Sequence, residues 1–181
     1  MFRKVVPYYI TQIYYKQKHY AELLEYAPPY LDSISSKRKS EFAKLIGDSY
    51  YYQKDYKNAI PFLLEFRSGA KATRSDKFQL GESYYRSGDN ENAVKYFSYA
   101  ATKKDEMSQV TYYHMADAYL KLGKKDYARN AFRAASKLEF KEDITENALF
   151  NYAKLAYELS YNPYDEAIEA FHQYIETYPN S

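Results

Sequence analysis

The chain has 181 residues, with 26 lysines and arginines against 24 aspartates and glutamates for a formal net charge of +2. So even a balance gives no general pull toward nucleic acid or anionic lipid, and no apolar run approaches the roughly 18 residues of a membrane span. The absence of cysteine excludes disulfides, thiolate catalysis and cysteine-ligated metal.

In chain order, two helices are expected over about 3–17 and 19–35, with Pro28-Pro29 interrupting the second. The same pattern is then written three times. Leu45-Ile46-Gly47-x-x-Tyr50 leads to Tyr56-x-x-Ala59. At a spacing of 34 residues, Gln79-Leu80-Gly81-x-x-Tyr84 leads to Gly88, Ala93, Phe97 and Ala100. The third copy lies 35 residues later as Met115-Ala116-x-x-Tyr119, Gly123, Ala128, Phe132 and Ala135. These copies make units of about 38–69, 71–104 and 107–140, the first carrying Pro61 in its second helix. A diverged unit at 1–35 precedes them. One at 142–179 follows, its turn at Ser160-Tyr161-Asn162-Pro163 about two residues longer than the others. A fixed period of this length marks a solenoid whose units stack only on their neighbours.

Each spacing has a physical reason. In the first helix of a unit, a Gly or Ala three residues before a Tyr leaves room for the second helix, and the Tyr fills the gap beside it. The second helix carries Ala59/Leu63, Ala93/Phe97 and Ala128/Phe132 at i, i+4, one apolar stripe. Asp or Gly sits where the chain must reverse, in Lys54-Asp55, Ser87-Gly88-Asp89 and Leu122-Gly123-Lys124. No period-two alternation appears, so no sheet is expected. The fold class is all-α.

The pattern resembles the tetratricopeptide repeat (TPR) family, whose unit is a pair of antiparallel helices, A and B. The family's small residue on helix A corresponds to Gly47, Gly81, Ala116 and Ala153, and its helix B alanine to Ala59, Ala93, Ala128 and Ala167. Its turn glycine is Gly88 and Gly123, with Lys54 in that place in the first copy. The closing proline appears once, as Pro179, and the family's tryptophan is absent.

The resemblance implies a right-handed TPR solenoid of about five antiparallel helix pairs, a single array over 1–181. In that family helix A lines the concave face. Carried over by register, the wall comprises Lys44, Asp48, Tyr51 and Tyr52, then Gln79, Glu82, Tyr85 and Arg86. His114, Asp117 and Lys121 continue it, followed by Asn151 and Lys154. The implied function is a scaffold that binds a peptide or helical segment of a partner protein in this groove, with no cofactor and no nucleic acid. The alternative is a spacer or self-assembly array with no groove ligand of its own. Chaperone-binding members clamp a terminal carboxylate at places that here hold Lys44, Asp48, Gln79, Val110 and His114. Only Lys44 is of the required type, and Asp48 would repel a carboxylate at close range.

Both ends are apolar. The last helix, Ala167-Ile168-x-x-Phe171-x-x-Tyr174-Ile175-x-x-Tyr178, lacks the polar outer face of a capping helix, and the opening one carries Val5, Val6, Tyr9, Ile10, Ile13 and Tyr14. The chain is therefore expected to be an excerpt of a longer repeat protein and to self-associate through the array ends. Residues 166–181 look like units of bacterial envelope proteins, among them outer-membrane assembly lipoproteins and periplasmic division coordinators. That likeness implies a periplasmic or outer-membrane-associated setting, with the cytoplasm as the alternative.

Catalytic and metal chemistry find no support in the residues. His19, His114 and His172 fall in separate units, and the pair Glu169/His172 is a fraction of what a di-metal carboxylate site needs. Asp105-Glu106 and Asp165-Glu166 stand at helix starts, where carboxylates offset the macrodipole. There is no phosphate loop and no nucleophile elbow. The chain reads as a non-enzyme. Its 25 tyrosines exceed what helix packing needs, and the surplus is expected in a groove, where a flat ring with a polar tip gives contact area at low entropy cost.

Overall fold

A computed structural model describes residues 5–69, 72–160 and 165–181 of the chain. The long turn expected after Ser160 falls at 161–163, outside the described residues, as does the expected helical start at 3–4. All regular structure among the described residues is helical. Two compact units divide the chain, Met1–Gly88 and Asp89–Ser181.

The first unit holds α1 (Val6–Lys16), α2 (Tyr20–Tyr26), a 3-10 turn (Pro28–Ser33), α3 (Ser36–Tyr52), α4 (Tyr56–Gly69) and α5 (Arg74–Arg86). Pro7 lies in the first turn of α1, where a missing N–H is no loss. Pro28 and Pro29 end α2 and convert the chain to the tighter 3-10 form. Tyr8, Leu23, Ala27, Ile34, Phe42 and Ile46 make the core around which α1, α2 and α3 meet. Against α3 packs α4, and the closest approach is at Gly47. A Cβ built there would lie 2.9 Å from Leu63 Cδ2 and 3.1 Å from the Leu63 backbone nitrogen. One turn further on, the Tyr50 ring stacks on Phe62 with centroids 5.5 Å apart.

The second unit holds α6 (Asn90–Ala100), α7 (Glu106–Lys121), α8 (Lys125–Ser136), α9 (Glu142–Leu159) and α10 (Asp165–Thr177). The small residues picked out by the repeat are all inside: Ala93, Ala116, Ala128 and Ala153 are fully buried and Ala167 nearly so. Phe97 and Phe132 fill the space beside them. A buried amide ties three helices together. Gln109 on α7 donates to Thr145 Oγ1 at 2.8 Å and accepts from the Lys141 N–H at 2.7 Å, while also reaching the Ala135 carbonyl at the end of α8.

The turns explain how one length of chain reverses repeatedly. Lys18, Lys54, Gly88 and Gly123 have φ of +59°, +60°, +86° and +70°, each just past the end of a helix. At Lys54 the backbone N–H bonds back to the Tyr51 carbonyl and the next N–H to that of Tyr50, both at 2.9 Å. The pair is repeated at Gly123 with Leu120 and at Lys124 with Tyr119. These bonds satisfy the last carbonyls of helix A, and they require a left-handed residue. Asp55 and Asp89 then cap the next helix by accepting from the N–H groups of Asn58 and Asn92, at 3.3 and 3.1 Å.

Two consequences can be measured. Gly47→Leu should destabilise the first unit by about 1–3 kcal/mol or more, because Leu63 blocks the new side chain with its backbone as well as its methyl groups. An unchanged melting midpoint would remove the helix-pair packing described above. At the turns, Lys54→Gly should stabilise by about 0.5–1 kcal/mol by relieving a left-handed residue that has a Cβ, and Gly123→Ala should destabilise by a similar amount. Urea titration of both variants gives the signs; the same sign for both would contradict the turn assignment.

Candidate protein-binding wall

Helix A side chains of the first unit bond to one another at the repeat period. Tyr8 donates to Glu41 Oε2 at 2.7 Å, and Tyr15 donates to Asp48 Oδ2 at 3.1 Å, both partners being 33 residues on. Lys44 reaches Asp48 at 3.2 Å and Asp76 Oδ1 at 2.5 Å. Tyr51 donates to Glu82, whose other oxygen lies 3.7 Å from Arg86. Asp76 is held independently, because it closes a capping box with Thr73 at the start of α5.

Charge balance in this row is tight. Burial pulls the Lys44 ammonium down, but the Asp48 and Asp76 carboxylates outweigh it and its pKa is raised. Burial pushes the Asp76 carboxyl up, and Lys44 with Thr73 more than reverses this, leaving it below the usual carboxylate range. Tyr15 and Tyr51 are raised by burial and then by the carboxylates they donate to. Such bonds are stronger than neutral ones, and both partners are partly shielded from water.

These contacts change the reading of several wall residues. Asp48 is 4% exposed and is not presented to a ligand; it joins α1 to α3 through Tyr15. Lys44, Tyr51 and Glu82 are half-buried and bonded within the row. Tyr52 is the open one, at 52% exposure. It stacks on Tyr20 with centroids 5.0 Å apart, and Tyr20 meets Tyr15 edge-on at 5.9 Å. On its other side Tyr52 meets Tyr51 at 5.9 Å, and Tyr51 meets Tyr56 at 5.6 Å. Tyr85 and Gln79 are half-buried, and the Arg86 guanidinium lies 5.7 Å from the Tyr85 ring.

The second unit presents a different surface. Asp117 and Lys121 pair at 2.7 Å along α7. His114 is half-buried, with its ring 6.1 Å from Phe97. Asn151 bonds to the Asn147 carbonyl of its own helix at 2.8 Å, and Lys154 is exposed. Tyr152 lies beneath, donating to Glu166 Oε1 at 2.7 Å. Its pKa is pushed up to about 12 by burial and by that carboxylate.

Sequence reasoning missed Tyr15, Tyr20, Tyr56 and Asp76. The available signal was the period itself, since Tyr15 and Lys44 precede Asp48 and Asp76 by about one unit. Among the described residues no group of three or more His, Asp or Glu is placed to hold a metal ion, and no helix is long and apolar enough to cross a membrane.

Residues 147–181 match a model described as tetratricopeptide repeat. Residues 53–135 match one described as anaphase-promoting complex, cyclosome, subunit 3. Among solved structures, a crystal structure of MamA protein superimposes with a TM-score of 0.69 at 16% identity, over 96% of this chain and 92% of the other. The fold is a tetratricopeptide-repeat array. A Podospora anserina putative kinesin light chain with nearly identical TPR-like repeats superimposes at a TM-score of 0.59 and 11% identity, over 97% of this chain and 94% of the other. A curated protein, response regulator aspartate phosphatase E of Bacillus subtilis (strain 168), is 27% identical over 159 residues. That match covers 76% of this chain and 42% of the relative's length, so the TPR chain spans less than half of that protein.

The tyrosine–carboxylate bonds of the array predict its response to alkali. Tyr8 and Tyr152 have folded pKa values raised from 10.0 to about 12. Their contribution is therefore complete below about pH 10 and is lost as pH rises through about 12. Thermal melts should hold steady up to about pH 10 and fall beyond it, and a Tyr8→Phe, Tyr152→Phe double variant should show a shallower fall. Superimposable curves for the two proteins would refute this role.

Proposed function

We propose that this TPR array is a protein-binding scaffold and not an enzyme. It holds a segment of a partner protein against helix A side chains and the first residues of α2 and α4, Tyr20 and Tyr56, with the tyrosine row of the first unit as the anchor. The observation that supports this most is the run Tyr15–Tyr20–Tyr52–Tyr51–Tyr56, five rings in successive contact with the exposed Tyr52 at the centre. Binding hot spots favour Tyr and Arg because they join apolar area to a hydrogen-bonding tip. With Asp48, Glu82 and Lys44 already paired, what the wall offers a partner is chiefly aromatic surface, with the half-exposed Arg86, itself 3.7 Å from Glu82, at its edge. Gln79 and Tyr85 extend the offered surface within the first unit, and His114, Asp117, Lys121, Asn151 and Lys154 are offered by the second unit on its own. The Bacillus subtilis relative is named for acting on a response regulator, itself a protein, which supports a protein partner over nucleic acid. So does the near-neutral charge. The likeness of residues 166–181 to envelope TPR units supports a bacterial envelope setting.

A second reading, assembly through the array ends, is favoured by the exposure of Val6, Tyr9 and Ile13 on α1 and of Ile168 and Ile175 on α10. Contiguous exposed apolar side chains mark association surfaces.

The two readings separate experimentally. Tyr20→Ala, Tyr52→Ala should leave helical content unchanged and shift the melting midpoint by a few degrees at most, while capture of partner proteins from cells falls several-fold. Ile168→Ser, Ile175→Ser should leave capture intact and lower the sedimentation-derived association constant. Partner capture that is indifferent to Tyr20 and Tyr52 would rule out the tyrosine row.

A further inference from the structure

A second aromatic site lies away from that row, at the opening of the first unit. Tyr14 on α1, Glu22, Glu25 and Tyr26 on α2, and Pro29 with Tyr30 on the 3-10 turn line an open cavity of about 490 Å³. The Tyr14 and Tyr26 rings meet edge-on at 6.1 Å and 68°, and the Tyr26 and Tyr30 rings at 5.0 Å and 37°. Tyr14 and Tyr26 pack on one side against the core of the first unit, and with Tyr30 they give the cavity walls set at an angle to one another. Glu22 and Glu25 are both exposed and stand three residues apart, so their carboxylates project from one face of α2. The lining contains no lysine and no arginine. The exposed His19 stands at the edge, its Nδ1 4.0 Å from Glu22.

The geometry points to a site for a cationic side chain, and specifically for an arginine of a partner polypeptide. Ring faces carry negative charge density that attracts a cation placed over them. Two carboxylates at the rim add attraction of the same sign. Arginine fits better than lysine because its planar guanidinium can lie flat on a tyrosine ring while its edge forks to carboxylate oxygens. The cavity also exceeds what a bare ammonium group fills, leaving room for the aliphatic stem and adjoining backbone. This site is independent of the tyrosine row and would stand if that reading failed.

The test titrates the full chain, with ring-labelled tyrosine, by NMR. The probes are acetyl-Gly-Arg-Gly-amide, the same peptide with lysine or with the neutral isostere citrulline, and tetramethylammonium. The arginine peptide should shift the Tyr14, Tyr26 and Tyr30 ring resonances and bind roughly fivefold or more tighter than the citrulline peptide. Glu22→Gln, Glu25→Gln and, separately, Tyr30→Leu should each weaken it without altering the circular dichroism spectrum. Equal binding of arginine and citrulline peptides would overturn the proposal, as would binding untouched by both variants. Tetramethylammonium binding as tightly as arginine would instead make this a quaternary-ammonium cage. Ring shifts that follow protein concentration alone would give the face to a second copy, and either result would overturn the arginine assignment.

Discussion

Helix B can lie close to helix A only where helix A has no side chain to hold it off, and the structure depends on meeting that condition in successive copies. At Gly47 the constraint is tightest, since the Leu63 backbone itself occupies the space a Cβ would need. In the second unit alanine suffices at 116 and 153, both fully buried. Once the small residue faces helix B, the 3.6-residue period decides the rest of helix A. Bulky neighbours such as Phe42 and Ile46 go to the core, and the polar and aromatic residues on the remaining arc form the wall.

The polar residues of that arc are consumed by the array itself. Tyr8–Glu41, Tyr15–Asp48, Lys44–Asp76 and Tyr51–Glu82 each span roughly one repeat, so they set the register of one helix A against the next. An apolar stripe fixes which face packs but tolerates sliding along the axis. A charge-assisted bond with a defined length does not. The arrangement also removes most formal charge from the wall of the first unit, leaving aromatic rings as its accessible chemistry.

The two compact units solve the problem differently. Between α1, α3 and α5 the ties are tyrosine–carboxylate and lysine–carboxylate bonds, whereas at α7, α8 and α9 the buried amide of Gln109 is accompanied by surface ion pairs, Lys125–Glu158 at 2.8 Å and Lys141–Glu106 at 3.1 Å. Gln109 is fully buried, and a buried amide without partners would be costly, so the Thr145 hydroxyl and the Lys141 and Ala135 backbone groups are integral to that packing. The wall of the second unit consequently keeps its charged side chains, with Asp117–Lys121 paired along one exposed helix face.

Residues whose role is dictated by local geometry were legible in the sequence. Gly88 and Gly123 mark reversals because the backbone there must be left-handed, and even Lys54 was located by its place in the period. Gly47, Ala116 and Ala153 marked the close approach because small residues recur there without any other local reason. Pro28-Pro29 signals a break inside the helix expected over 19–35, and the structure ends α2 at Tyr26 with a 3-10 turn in place of the continuation. What the sequence left open was which wall residues face each other across repeats. Asp48, Tyr51 and Glu82 share the helical register of open positions, and nothing within their own helix distinguishes a solvent-facing carboxylate from one bonded to a tyrosine 33 or 31 residues away. The tyrosine row and the Tyr14, Tyr26, Tyr30 cavity were hidden for the same reason. Their rings come from separate helices and a 3-10 turn, and their meeting depends on packing angles that only tertiary structure sets.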